Sequence, residues 1–249
     1  MPVRSRSLAA GLGLALLAAG VLTACASPAG SGTSSTPSTS PSGSASGGMS
    51  AEIEVDAAWV DGGRMIALVT EGSSSTDCIP MAGDATYANG VLEVELTAPP
   101  ADTVCTADYV SRATLVGVPE GVDPTQDVEI RLTGAYRGDT DLDGVPGLVA
   151  GGSTDYLPSA GWADDGQFVI VTWGSSTCVP VISDVAATSA TEVTVTFATP
   201  PADQACTMDM APRANVAQVT TELDDDSEVF AILTGAEFDN VRIPIIGHD

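Results

Sequence analysis

The stretch Ala98-Pro99-Pro100-Ala101-Asp102-Thr103-Val104-Cys105-Thr106 returns as Thr199-Pro200-Pro201-Ala202-Asp203-Gln204-Ala205-Cys206-Thr207. The offset, 206 minus 105, is 101, and it also carries Asp108 onto Asp209 and Arg112 onto Arg213. Leu132-Thr133-Gly134-Ala135 falls on Leu233-Thr234-Gly235-Ala236 in the same register. Upstream, Gly72–Pro80 matches Gly174–Pro180 with a small deletion, and Trp59 falls on Trp162. A register kept this long means two copies of one module, so any fold proposed for one copy must suit the other. The copies are expected at 51–137 and 158–240. An acidic Gly/Pro linker at 138–157 joins them, and a tail at 241–249 follows.

Each copy reads as all-β. Val193, Val195 and Phe197 alternate with threonines, and Leu92, Val94 and Leu96 alternate with Glu93 and Glu95. Period two is the mark of a half-buried strand. Asn89-Gly90 is a type I′ hairpin signal just before the second of these runs. Asp61-Gly62-Gly63 and Asp164-Asp165-Gly166 predict another hairpin, with second strands at Met65–Thr70 and Phe168–Trp173. Phe168–Trp173 is apolar on both faces and so should lie centrally. Further strands are expected near 114–118, 128–132, 216–219 and 229–233. Six or seven short strands in so few residues suit a small β-sandwich, immunoglobulin-like or similar, in each copy.

The five cysteines divide as one near the N-terminus and two per copy. Four cysteines allow three pairings, and the repeat favours Cys78 with Cys105 and Cys178 with Cys206. A metal or redox pair has no C-x-x-C to build on and lacks histidine ligands.

At the N-terminus, Arg4 and Arg6 precede an apolar run from Leu8 that closes on Leu22-Thr23-Ala24-Cys25. The run is shorter than the roughly 20 apolar residues of a membrane span, and Gly11, Gly13 and Gly20 interrupt it. It resembles a bacterial lipoprotein signal with its lipobox. That resemblance implies cleavage after residue 24 and acylation of Cys25, palmitate included. Residues 25–50, nearly all Ser, Gly, Thr, Pro and Ala, then form a disordered tether. The implied address is the outer face of the cytoplasmic membrane, extending into the cell wall. The Ser-Ser-x-Cys-x-Pro turn at 175–180, its longer form at 74–80, and Cys-Thr-x-Asp-x-x-x-Arg at 105–112 and 206–213 resemble uncharacterised actinobacterial secreted proteins. This second resemblance brings no activity with it.

All eight basic residues are arginine, and the net charge is −25. Loss of residues 1–24 removes Arg4 and Arg6 and no acid, leaving −27. Such a charge repels nucleic acid and anionic lipid, so neither is an expected partner beyond the lipid anchor. Without lysine, and with His248 the single histidine, Ser-His-Asp and Cys-His nucleophiles, Schiff bases, multi-histidine zinc sites and lysine-bearing phosphate loops all drop out. Only carboxylate chemistry survives, and Asp164-Asp165 and Asp224-Asp225-Asp226 are its candidates. The Asp108/Arg112 and Asp209/Arg213 pairs read first as salt bridges pinning the segment after the second cysteine. The three tryptophans read as core. Asp139-Thr140-Asp141-Leu142-Asp143-Gly144 resembles the opening of a calcium loop, with Asp139, Asp141 and Asp143 as ligands. Ala150 stands where an EF-hand has its twelfth-position Glu, so no cofactor is expected other than weakly held calcium. The expected role is a non-catalytic binding or structural one in the cell envelope, toward a ligand or protein the sequence does not name. The alternative is a carboxylate-dependent hydrolase acting on wall glycan.

Overall fold

The computed structural model describes residues 50–224 and 227–247. The signal at 1–24, Cys25, the tether through residue 49, Asp225, Asp226 and His248 lie outside the described residues.

Among the described residues the chain is all-β and carries two disulfides, Cys78–Cys105 and Cys178–Cys206. The first half contributes β1 (Ala51–Glu52), β2 (Asp56–Val60), β3 (Met65–Gly72), β4 (Met81–Ala88), β5 (Val91–Thr97), β6 (Val110–Gly117), β7 (Val128–Gly134) and β8 (Tyr136–Leu142). The second half contributes β9 (Ser159–Asp164), β10 (Gln167–Gly174), β11 (Ile182–Ser189), β12 (Glu192–Phe197), β13 (Ala211–Gln218), β14 (Phe230–Gly235) and β15 (Phe238–Ile246). In the first half β2-β3-β6 form one sheet and β1-β8-β7-β5-β4 another. The second half repeats both patterns, but β15 runs on to pair with β9, so its strands form one sheet in the order β11-β12-β14-β15-β9-β10-β13. In each half the middle pair, β5 with β7 and β12 with β14, is parallel. Its crossover passes through β6 or β13. Asn89 and Gly90 take φ values of +56° and +87°, the geometry the Asn-Gly signal predicts for the β4–β5 turn.

The linker and tail of the sequence reading are corrected by two strands. Residues 138–142 belong to β8, paired antiparallel with β7, and 241–246 belong to β15. β8 is hard to see because its inward positions are Tyr136, Gly138 and Thr140, with little apolar contrast against Arg137, Asp139 and Asp141. In β15 the alternation of Val241, Ile243 and Ile245 is broken to the eye by Pro244. Two edge strands, β4 and β11, are also absent from the sequence reading, since both are short of apolar residues.

Three apolar clusters lie between the sheets. The first joins Trp59, Ile66 and Leu68 of the β2-β3-β6 sheet to Leu92, Ile130 and Leu132. The second joins Trp162, Phe168 and Ile170 to Val193, Phe197 and Leu233. The third joins the halves: Val60 and Val69 face Val169 and Val171, all at most 2% exposed. Strands β3 and β10 are apolar on both faces because each lies between two of these clusters. The halves stack antiparallel. The backbone N–H of Asp61 donates to Ser159 Oγ at 2.8 Å, and Gly161 lies so close to the Trp59 carbonyl that a Cβ there would sit 2.0 Å from its oxygen. At the far end of β2, Asp56 is held above the usual carboxylate range by burial and by the nearby charges of Asp164, Glu54 and Glu71. Gln167 Nε2 donates to Ser111 Oγ at 3.1 Å. Each half therefore sets its β2–β3-type hairpin turn beside the disulfide end of the other.

Candidate functional site

The duplicated motif residues gather around each disulfide. β3 and β10 deliver Ser73–Pro80 and Ser175–Pro180 to one end of their half, and β6 and β13 depart from the same end. Asp108 Oδ1 accepts from the Ser74 backbone N–H at 3.1 Å and from the Thr106 hydroxyl, and Asp209 Oδ1 accepts from the Ser176 N–H at 3.2 Å and from the Thr207 hydroxyl. The Ser74 and Thr106 hydroxyls, with the Ser74 N–H, hold the Asp108 carboxyl at a pKa of about 2. Ser176 and Thr207 do the same for Asp209, also about 2.

The arginines are not the partners of these acids. Arg112 Nη1 donates to the carbonyls of Ser73 (3.2 Å) and Cys78 (2.8 Å). Arg213 donates to the carbonyls of Cys178 and Trp173, each at 3.1 Å, and to Glu237 at 2.8 Å. The expected Asp–Arg salt bridge is thus replaced by two separate clamps on the backbone. A loop closed by a disulfide leaves carbonyls without ladder partners, and a buried guanidinium satisfies several of them at once. The seat explains the glycine before each Ser-Ser: a Cβ on Gly72 would meet the Arg112 guanidinium at 2.3 Å, and one on Gly174 would meet that of Arg213 at 2.8 Å.

Beside the second disulfide lies a cleft of about 370 Å³, walled by Val179, Val181, Pro200 and Pro201, with Arg213 and Glu237 also lining it. That volume is within the range of small-molecule sites, and the wall is mostly apolar. The first half has Tyr136 in the place of Glu237.

A second groove, about 240 Å³, runs between the halves and brings two predicted sets of acids together: Asp141 and Asp143 after β7, and Asp164 and Asp165 at the β9–β10 turn. All four are exposed. Trp59 and Trp162 line it only by their edges, being 1% and 5% exposed. Trp59 Nε1 donates to the Asp143 carbonyl at 2.9 Å, and Trp162 packs edge-on to Phe168. Trp173 meets Tyr156 edge-on at 5.1 Å. The tryptophans are spent on packing and offer no flat sugar platform.

The backbone sets the acids of the calcium-loop reading, Asp139, Asp141 and Asp143, along and just after a strand rather than in a separate loop. The first two stand on β8, opposite Arg131 and Glu129. Alternate residues of a strand are spaced by roughly 7 Å and share a face, and Asp143 lies just past the end of β8. Among the described residues no group of three His, Cys, Asp or Glu side chains is placed to hold a metal, and no helix is long and apolar enough to cross a membrane.

What the sequence reading missed is apolar. Met81, Val104 and Tyr109 around the first disulfide, and Val181, Met208 and Met210 around the second, are each at least 60% exposed. The signal was present in the copies themselves, since Met81 aligns with Val181 and Tyr109 with Met210. No family model, no curated protein and no solved structure matches the chain.

Proposed function

We propose that this chain is a lipoprotein, anchored through Cys25 to the outer face of the cytoplasmic membrane, and that it acts by binding rather than by catalysis. In this reading residues 25–50 are a tether and each half is a small β-sandwich, two sheets closed over one core. The sheet orders and the two separate clusters around Trp59 and Trp162 support the sandwich description. One observation carries the binding role: large apolar side chains stand exposed at both disulfide ends, two of the three at matched positions, Met81 with Val181 and Tyr109 with Met210. An apolar cluster held in water by a rigid, disulfide-closed frame is the usual sign of an interaction surface. The duplicated polar residues, by contrast, are consumed by the frame. Asp164 and Asp165, the carboxylates a wall hydrolase would use, are both exposed at the rim of the groove that Trp59 and Trp162 line by their edges.

Two variants of the full chain test the reading in the bacterium that makes it. Cys25→Ala is expected to lose acyl label and to accumulate unprocessed or in the medium. Retained label and membrane attachment in that variant refute the anchor. Release of wall fragments by the parent protein, lost in Asp164→Asn, Asp165→Asn, refutes the non-catalytic reading.

A further inference from the structure

We infer that the two disulfide ends are equivalent docking sites facing in opposite directions, each taking a protein whose apolar contact is ringed by Arg or Lys, so that one chain bridges two partner copies. This rests on the binding role proposed above and names its partner.

The apolar centre of each site is the exposed trio Met81, Val104 and Tyr109, or Val181, Met208 and Met210. Each member of a trio lies within four positions of a half-cystine in the chain, so the disulfide holds all three at the same end of their half. Methionine and tyrosine suit such a surface: one adapts its shape, the other gives a large contact with little entropy to lose.

The rim sets the partner's charge. Asp102 and Asp108 flank the first trio, Asp203 and Asp209 the second, and all four are exposed. Asp108 and Asp209 stay ionised far below neutrality. No basic residue occurs between Arg64 and Arg112 or between Arg137 and Arg213, and Arg112 and Arg213 are turned inward onto carbonyls. Arg64, on the turn beside the second end, is paired with Asp61, so each end is apolar with a net acidic border. A second copy of this chain would bring like charge against like, and an anionic lipid surface would do the same. A basic border is the complement.

The antiparallel stacking sets the valency. The turn of β2–β3 in the first half lies by Ser159, beside the second disulfide end, while Ser111 at the first disulfide end meets Gln167. The two patches thus point away from each other, and one docked partner leaves the other site open.

The test places a photo-crosslinking residue in the full-length chain in its own cells, as Tyr109→p-benzoylphenylalanine, Met210→p-benzoylphenylalanine, both together, and Arg137 or Thr188 as exposed controls. The expected result is one protein adduct, of the same mass, from positions 109 and 210 and none from the controls. The double variant should add two partner masses, with Lys or Arg in the crosslinked partner peptide. Washing the envelopes in about 1 M salt before illumination should lower the yield roughly fivefold or more, since screening removes the charged rim's contribution. An adduct with a second copy, with lipid alone, from only one end, of different mass at the two ends, or with no protein at all overturns the proposal. Acyl labelling of Cys25 in the same cells reports on the anchor separately, so either reading can fail without the other.

Discussion

Replacing Cys178 and Cys206 together by serine is expected to lower the stability of the whole folded part, not of the second half alone. This pair suits the test because Cys206 is exposed and Cys178 only partly buried, whereas Cys78 is 2% exposed and its loss would also open a core cavity. The bond closes a sequence separation of 28 residues, which in the chain-entropy description stabilises by about 3.6 kcal/mol. Whether this destabilises one half or both is decided by the shared layer. If the second half unfolded alone, it would leave Val60 and Val69 of the first half bare. At about 1.5–3 kcal/mol for each buried valine, that exposure costs about 3–6 kcal/mol, comparable with the disulfide itself. Urea unfolding should therefore stay a single transition, its midpoint lowered by about 1 M for a slope of about 3 kcal/mol per M. Two reporters make the point: Trp59 alone, after Trp162→Phe and Trp173→Phe, senses the first core, and Trp162 alone senses the second. Coincident curves with a common shift are expected. A shift seen only by Trp162, with Trp59 unmoved, refutes the shared layer as the coupling element.

Two further outcomes follow from the disulfide ends. Arg213→Met strips the hydrogen bonds from the Cys178 and Trp173 carbonyls and should cost roughly 3 kcal/mol in chemical unfolding, whereas Glu237→Gln should cost less than about 1, its side chain being half exposed. Asp108 and Asp209 are lowered to about 2 from 3.8, so their contribution is present above about pH 4 and is lost as pH falls toward 2. Asp108→Asn, Asp209→Asn should flatten the acid limb of a thermal-stability profile in that window, and an unchanged limb refutes the assignment.

Period-two alternation at Leu92–Leu96 and Val193–Phe197 was enough to find β5 and β12, and the repeat was enough to pair the cysteines. Beyond that, legibility failed where the physics lies outside local pattern. Arg112 and Arg213 looked like partners for the acids four residues before them, because a sequence shows which charges are near in the chain. It does not show which carbonyls a disulfide loop strands. Asp139, Asp141 and Asp143 looked like a closing loop because D-x-D-x-D serves equally as alternate positions on a strand. Only pairing with Glu129 and Arg131 distinguishes the two. The apolar second face of Phe168–Trp173 was legible, yet its cause, a neighbouring half packed on it, is a tertiary fact.

The two copies agree and differ in a way that separates frame from surface. Gly72, Ser74, Thr106, Asp108 and Arg112 all have a counterpart of the same type, and each acts on backbone or on another member of the set. The exposed positions between them do not keep their residues: Val104 answers to Ala205, Ala107 to Met208, Tyr109 to Met210. A loop whose shape is fixed by hydrogen bonds to its own backbone leaves such side chains free to change without moving the chain. Both copies nevertheless fill the patch with large apolar groups, at partly different positions. Chance exposure would not favour that at both ends. A surface required to present apolar area, whichever residue supplies it, would.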